Sequence, residues 1–424
     1  MSKYVLKTLL ALPLVLLPFS TARGAPFGET ITVGASLPLT GSEAKAGARV
    51  REGYEYAFDE VARAGGLLVG GHRVPVILQV LDDGTSKETA AALAKTLVEH
   101  NGADFLLGSF STPLIEAQAA VADKLKVPYV TSSGSASSIY QHGFRYVFSV
   151  SAPTEQLGAT LMRWIDDEQR TGSLRSPLRI AVAVENTSHG KDYRSGIEDY
   201  ATKTARNRSA FHVVFAESFE QKGKDWKPML SRIKAANADV LLVDAHLEDY
   251  IEIQKQYAAM GLCHQVLSYG ARGPEKEAIA ALPPGAADYI LSAVWWNSRL
   301  GGNPLSKAFT DGFREKHGGR APEWGEALAY ESARALFAAI EKAGTKDREA
   351  VREALGNLKM SSILPGGYLA FPEQYGHQAH YPFIVQQNMP DGSAPIIYPS
   401  IARARDGVAP NPACHPVVTT AKGP

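Results

Sequence analysis

Strand-like apolar runs alternate with longer segments of helical period along most of this chain. "ITVGASLPL" leads into an amphipathic stretch from about Lys45 to Ala64, and "VPVILQVLDD" into "SKETAAALAKTLVEH". "ADFLLGS" leads into "PLIEAQAAVADKL", and "VPYVTSS" follows. Strands separated by helices cannot close as tight hairpins, so the pattern predicts parallel sheets with helices on both faces. The rhythm restarts after "FRYVFSVSAPT". "LRIAVAVEN" precedes a helix near Lys191 to Lys203, "ADVLLVDA" one near Glu248 to Met260, and "HQVLSYG" closes the run. Two such series in 424 residues predict two doubly wound α/β lobes rather than one oversized core.

Punctuation sets the expected boundaries. The first lobe is assigned residues 28–150 and 282–360, the second 151–281 and 361–405. Crossings are expected at Ser149 to Thr154, around Leu282 beside Pro283 and Pro284, and near Met360 to Leu364, which together make a multi-strand hinge. Residues 406–424 are rich in proline and small side chains and are expected to be loosely ordered.

Lys+Arg and Asp+Glu each number 44, so formal charge cancels. Nucleic acid and anionic membranes reward a basic excess; neither is an expected partner. At the start, Lys3 and Lys7 flank an apolar run, "LLALPLVLLPF", that is short for a bilayer and broken by Pro13 and Pro18. Small Ser20 and Ala22 follow, and the whole reads as a cleaved export signal over residues 1–25. Cys263 and Cys414 are the two cysteines; whether they pair is left open.

Ligands of open parallel sheets bind outside the carboxyl ends of strands. Those ends read "PLTG" (Pro38 to Gly41), "GSFSTP" (Gly108 to Pro113), "TSSGSASS" (Thr131 to Ser138), "ENTSHG" (Glu185 to Gly190), "DAHLED" (Asp244 to Asp249) and "YGARG" (Tyr269 to Gly273). Two of them are dense in hydroxyls and precede probable helices, whose first amides lack partners and favour an anion. Small residues at Ser133, Gly134 and Ser135 let a carboxylate approach the main chain. Chemistry-bearing motifs are not found. "GSFST" is not G-x-S-x-G, and neither a P-loop nor a G-x-G-x-x-G after the first strand occurs. No cofactor, metal or enzymatic activity is expected.

The segments "ITVGASLPLTG", "EGYEYAFDEVARAGGLLVGGHRVPVILQVLDD", "LLGSFSTPLIEAQAAVADKLKVPYVTSSGSA" and "DVLLVDAHLEDYIEIQKQYAAMGL" together resemble the Leu/Ile/Val-binding family of periplasmic solute-binding proteins. The resemblance spans nearly the whole chain after the export signal. It implies a type I clamshell, monomeric, that captures a small organic acid or amino acid and delivers it to an inner-membrane ATP-binding-cassette permease. It further implies that Ser111 and Thr112 hold the ligand carboxylate, joined by the backbone of Ser133, Gly134 and the hydroxyl of Ser135. His189 and His246 stand where amino-acid binders of the family often carry aromatic residues. The family's ammonium-pairing acid falls on Gly270, between Tyr269 and Arg272. Thr85 and Ser111 occupy the positions of a family disulfide.

A buried ammonium without an anionic partner is costly. The expected solute is therefore an acid lacking an α-amino group, such as an aromatic acid. Glu185, Asp244 or Glu248 substituting from neighbouring loops keeps branched-chain and other amino acids open, and a ligand sensor on the same fold is a further alternative. Trp295, Trp296, Trp324, Tyr193 and Tyr269 are the candidate stacking surfaces.

Overall fold

The computed structural model describes residues 30–414, so the expected export signal lies outside the described residues. The first series runs β1 (Ile31–Leu37), α1 (Ala44–Arg63), a small hairpin of β2 (Leu67–Val69) and β3 (His72–Val74), β4 (Val76–Asp82), α2 (Lys87–Glu99), β5 (Phe105–Leu107), α3 (Thr112–Lys124), β6 (Tyr129–Thr131), α4 (Ser137–Tyr140) and β7 (Val147–Ser149). Apart from the hairpin, its strands form one parallel sheet in the order β4-β1-β5-β6-β7. The β5, β6 and β7 segments are buried on both faces, as strands sandwiched by helices must be.

The second series runs α5 (Thr154–Thr171), β8 (Leu178–Glu185), α6 (Ser188–Asp199), β9 (Phe211–Phe219), α7 (Lys227–Ala235), β10 (Val240–Asp244), α8 (Leu247–Ala259), β11 (Val266–Tyr269), α9 (Lys276–Ala281) and β12 (Leu291–Val294). After it come α10 (Pro304–Lys316), α11 (Trp324–Ala343), α12 (Arg348–Gly356), the ribbon β13 (Lys359–Ser361) and β14 (Tyr368–Ala370), then β15 (Ile384–Gln387) and β16 (Ile396–Tyr398). The second sheet has the order β16-β15-β12-β11-β10-β8-β9, with β15 and β16 antiparallel at one edge. In each sheet the chain steps outward in both directions from an early strand, β1 or β8. The crevice beside that strand's carboxyl end is the place where loops diverge and leave room for a ligand.

Helices α10 and α11 return to the first sheet. Phe309 meets Tyr56 of α1 edge-on at 5.7 Å, and a Cβ on Gly53 of α1 would lie 2.3 Å from the Glu326 carbonyl of α11. Glycine at that position allows the two long helices to touch. The return comes later than expected. β12 pairs parallel with β11 through Ser268 and Leu291, so the chain leaves the second sheet after Val294, not at Leu282. Pro283 and Pro284 end the short α9 inside that lobe instead of marking a hinge.

The tail is also better held than expected through residue 414. Cys263 and Cys414 form a disulfide with Cα atoms 5.3 Å apart. Gln387 clamps Val408 through both its amide oxygen (2.7 Å) and nitrogen (2.9 Å), and the Asn411 N–H donates to the Gln265 carbonyl at 2.8 Å. Val408 and Ala409 also pack on the main core, so specific bonds and the disulfide add to a modest apolar contact that composition did not reveal. Residues 415–424 lie outside the described residues.

Candidate functional site

The strand ends of the two sheets meet around one interlobe cavity of about 590 Å³, counted out to its mouth. The loops after β5 (Phe110 to Pro113) and β6 (Ser133 to Ser135) supply the first wall. The loops after β8 (Thr187, His189), β10 (Asp244 to His246) and β11 (Ala271, Arg272) supply the second. Ser151, Trp295 and Trp324 complete the lining. Ser111, Thr112, Ser133, Gly134, Ser135, His189, His246 and Arg272 are thus brought together as expected from the sequence.

The first wall is neutral and tightly knitted. Ser111 sits at φ 71 and ψ 148, a region that costs a non-glycine residue about 1–3 kcal/mol. That turn starts α3 with Thr112 and Pro113, where proline gives up an amide that would have no helical acceptor. The Ser111 N–H donates to Ser133 Oγ (3.2 Å), and the Ser133 N–H donates to Thr131 Oγ1 (3.1 Å). Gly134 has φ +70, and a Cβ there would lie 2.5 Å from Ile115 of α3. Only glycine lets the two loops lie this close. The Ser135 hydroxyl shares a 2.7 Å hydrogen bond with Thr154 Oγ1, and its carbonyl accepts from Gln378 Nε2 at 2.9 Å. Two expected contacts change as a result. The Ser133 amide is occupied by Thr131, and the Ser135 hydroxyl offers a ligand only what its bond to Thr154 leaves.

The second wall is charged. The Glu185 carboxylate, buried behind the cavity, accepts from both the main-chain N–H and Nδ1 of His246, and from Gln221 Nε2 at 2.7 Å. Burial pushes the His246 imidazole down, but the Glu43 and Glu185 carboxylates outweigh it and raise its pKa to about 9. Burial alone would raise Glu185; the charge and N–H groups of His246, with Gln221, hold it at about 2. Arg272 is held by Glu275 at 3.1 and 3.3 Å and lies 5.5 Å over the Phe110 ring of the first lobe. Glu43, also from the first lobe, comes within 3.7 Å of His246 and 4.0 Å of Arg272. Each of these cations has a carboxylate of its own lobe and shares Glu43 across the cleft.

Asp244 is the group that sequence reasoning left in the background. Its Oδ2 accepts from His189 Nδ1 at 2.8 Å. Its Oδ1 lies 2.8 Å from where a Cβ on Gly270 would stand. Strands β10 and β11 pair Val243 with Tyr269, so the next residues, Asp244 and Gly270, leave the sheet side by side. A carboxylate therefore stands beside Gly270, on its strand neighbour. Parallel adjacency of "ADVLLVDA" and "HQVLSYG" was the available signal.

Tyr269 and Gly270 are not part of the lining. Tyr269 is fully buried, donates to Gln254 Oε1 at 2.9 Å and packs on Tyr250 with ring centroids 4.2 Å apart. Gly270 lies behind Asp244. Tyr193 and Trp296 are core residues as well, the latter donating to Ser306 Oγ at 3.0 Å. Of the proposed stacking surfaces, Trp295 and Trp324 reach the cavity. Phe110 joins them; it was hidden inside "GSFST", a stretch read for its hydroxyls.

Comparison with known proteins adds the following. A family model described as periplasmic binding protein matches residues 30–393. The chain is 23% identical over 389 residues to the Leu/Ile/Val-binding protein homolog 7 of Brucella abortus, covering 90% of this chain and 94% of that one. The branched-chain amino acid transporter substrate-binding protein LivJ of Streptococcus pneumoniae, solved with isoleucine, superposes with a TM-score of 0.73 at 19% identity, over 88% of this chain and 100% of that one. A solute-binding protein of an ABC transporter from Rhodopseudomonas palustris, solved with 3,4-dihydroxy benzoic acid, gives 0.71 at 18% identity, over 84% and 93%. At these identities the structural likeness speaks to the fold.

Proposed function

The chain belongs to the periplasmic binding protein family, and from that premise we propose that it captures a small carboxylate-bearing solute between its lobes for an inner-membrane permease. One observation carries the reading: a wall of hydroxyls and main chain faces a wall whose cations, His246 and Arg272, are already paired with Glu185 and Glu275, and whose one lining carboxylate is Asp244. The solute's carboxylate belongs on the first wall, at the start of α3 beside the Ser133 to Ser135 loop. Each hydrogen bond there contributes about 1.5–3 kcal/mol, with no counter-charge to desolvate. The solute's other end then faces Asp244, which rewards an ammonium or a hydroxyl donor.

Asp244 removes the ground on which an α-amino group was unexpected, so a zwitterionic amino acid is the first reading. A hydroxylated aromatic acid is the second, favoured by the rings of Phe110, Trp295 and Trp324 at the cavity. Contacts such as Glu43 with His246 and Arg272 span the lobes. A solute touching both walls binds the closed state better than the open one and shifts the population toward it. Export through the expected signal, a monomeric state and passive capture without turnover complete the proposal.

A thermal-shift screen of the mature protein against leucine, threonine, benzoate and dihydroxybenzoate tests it. At least one acid should raise the melting temperature by mass action and be recovered unchanged. A panel without any shift, or a chemically altered acid, contradicts the proposal.

A further inference from the structure

Trp324 stands where three hollows meet. It lines the solute cavity, a second hollow of about 420 Å³ beside Glu43 and Arg49, and a crevice of about 1270 Å³ that runs between α9, the β15–β16 turn and the segment before α11. Its nearest ring partners are Trp295 at 5.0 Å and Phe110 at 6.2 Å, both in tilted contact. Its indole N–H is buried without a hydrogen-bond partner. Trp295 differs: its N–H donates to the Ala152 carbonyl at 2.9 Å, which fixes that ring. Trp324 is therefore held by packing alone. Its backbone is the secure part, because Glu323 and Glu326 form a capping box around the first turn of α11. A ring anchored at its Cα, with no polar tether at its far end, is a partition that side-chain rotation or truncation removes.

We infer that Trp324 sets the length of solute the cavity accepts, by closing it off from the larger crevice. This role rests on the cavity being the solute site. Beyond the ring, the crevice is walled by polar and charged groups, among them Lys276, Asp288, Arg299 and Arg314. A solute passing the partition would carry its carboxylate on the first wall and a longer chain into the crevice. Short solutes meet only the cavity face of Trp324.

The test is calorimetric titration of the wild type, Trp324→Ala, Trp324→Leu and Trp324→Phe proteins with two homologous series. One is norvaline, norleucine and longer straight-chain amino acids; the other is benzoate, phenylacetate and longer ω-phenyl acids. In the wild type, affinity should fall sharply beyond some chain length. Trp324→Ala should move that cutoff outward, tightening the first excluded member by about tenfold or more relative to the shortest member of the same series. Trp324→Phe should keep the wild-type cutoff, and Trp324→Leu, the substitute where Trp324→Ala does not fold, should also move it outward. An unmoved cutoff in folded variants that still bind the short members overturns the partition alone. Wild type that binds neither series overturns the solute-site reading and the partition with it.

Discussion

The two walls of the cleft solve the same problem by opposite means. In the first lobe, the seven lining residues Phe110 to Pro113 and Ser133 to Ser135 include no titratable group. Polarity there comes from hydroxyls and main chain, held by a strained Ser111 and by Gly134. In the second lobe, His189, Asp244, His246 and Arg272 face the cavity, and each is paired before any solute arrives. The neutral wall carries no charge to desolvate and is specific by shape. The charged wall bears the cost of burial in advance, through Glu185 and Glu275, and holds Asp244 at the cavity on His189. On the proposed function, a cleft built this way selects solutes by their far end and not by their carboxylate.

The sharpest break would come from unpairing the charged wall. Glu185→Gln leaves His246 without its anchoring carboxylate and should cost about 3–5 kcal/mol in denaturant unfolding. The corresponding first-wall change, Ser133→Ala, should cost far less, about 1 kcal/mol. The pH dependence follows from the same pair. Raised from 6.5 to about 9, His246 contributes stability that is fully present below pH 6.5 and lost as pH climbs through 9. Lowered from 4.5 to about 2, Glu185 contributes stability present above pH 4.5 and lost toward pH 2. A plateau between those limits is expected, and His246→Gln should flatten its alkaline side. Melting temperature against pH measures both.

Next in size is Asp244→Asn. An amino-acid ligand should lose about 100-fold in affinity, while an acid without a donor at its far end should change by less than about threefold. Equal losses for both would place Asp244 in the fold and not in selection. The smallest effect is on the neutral wall. Ser111→Gly relieves the left-handed strain and should stabilise the protein by about 1 kcal/mol. If that wall acts through its main chain, solute affinity stays within about threefold; a tenfold loss would show that the Ser111 hydroxyl is a contact.

How far each wall was legible follows from how it is built. The first consists of short contiguous loops after buried strands, so "GSFSTP" and "TSSGSASS" announced both their location and their character. What they hid was which donors are already used: Thr131 takes the Ser133 amide, and Thr154 shares the Ser135 hydroxyl. The second wall is assembled across strands, and pairing decides its chemistry. Alignment along the chain pointed to an empty place at Gly270; lateral register put Asp244 there. Tyr269 alternates away from the cavity into the core, a consequence of strand period that a loop-centred reading missed. The late return of the chain after β12 was concealed for a similar reason, because Pro283 and Pro284 mark a helix end and a lobe boundary alike.

The division of labour between the walls is tested most directly by a crystal structure of the protein with its tightest acid from the screen. The solute's carboxylate should lie against the start of α3 and the Ser133 to Ser135 loop, with its opposite end turned to Asp244. A carboxylate found instead against Arg272 or His246, with Thr112 and Ser135 making no contact, would contradict it.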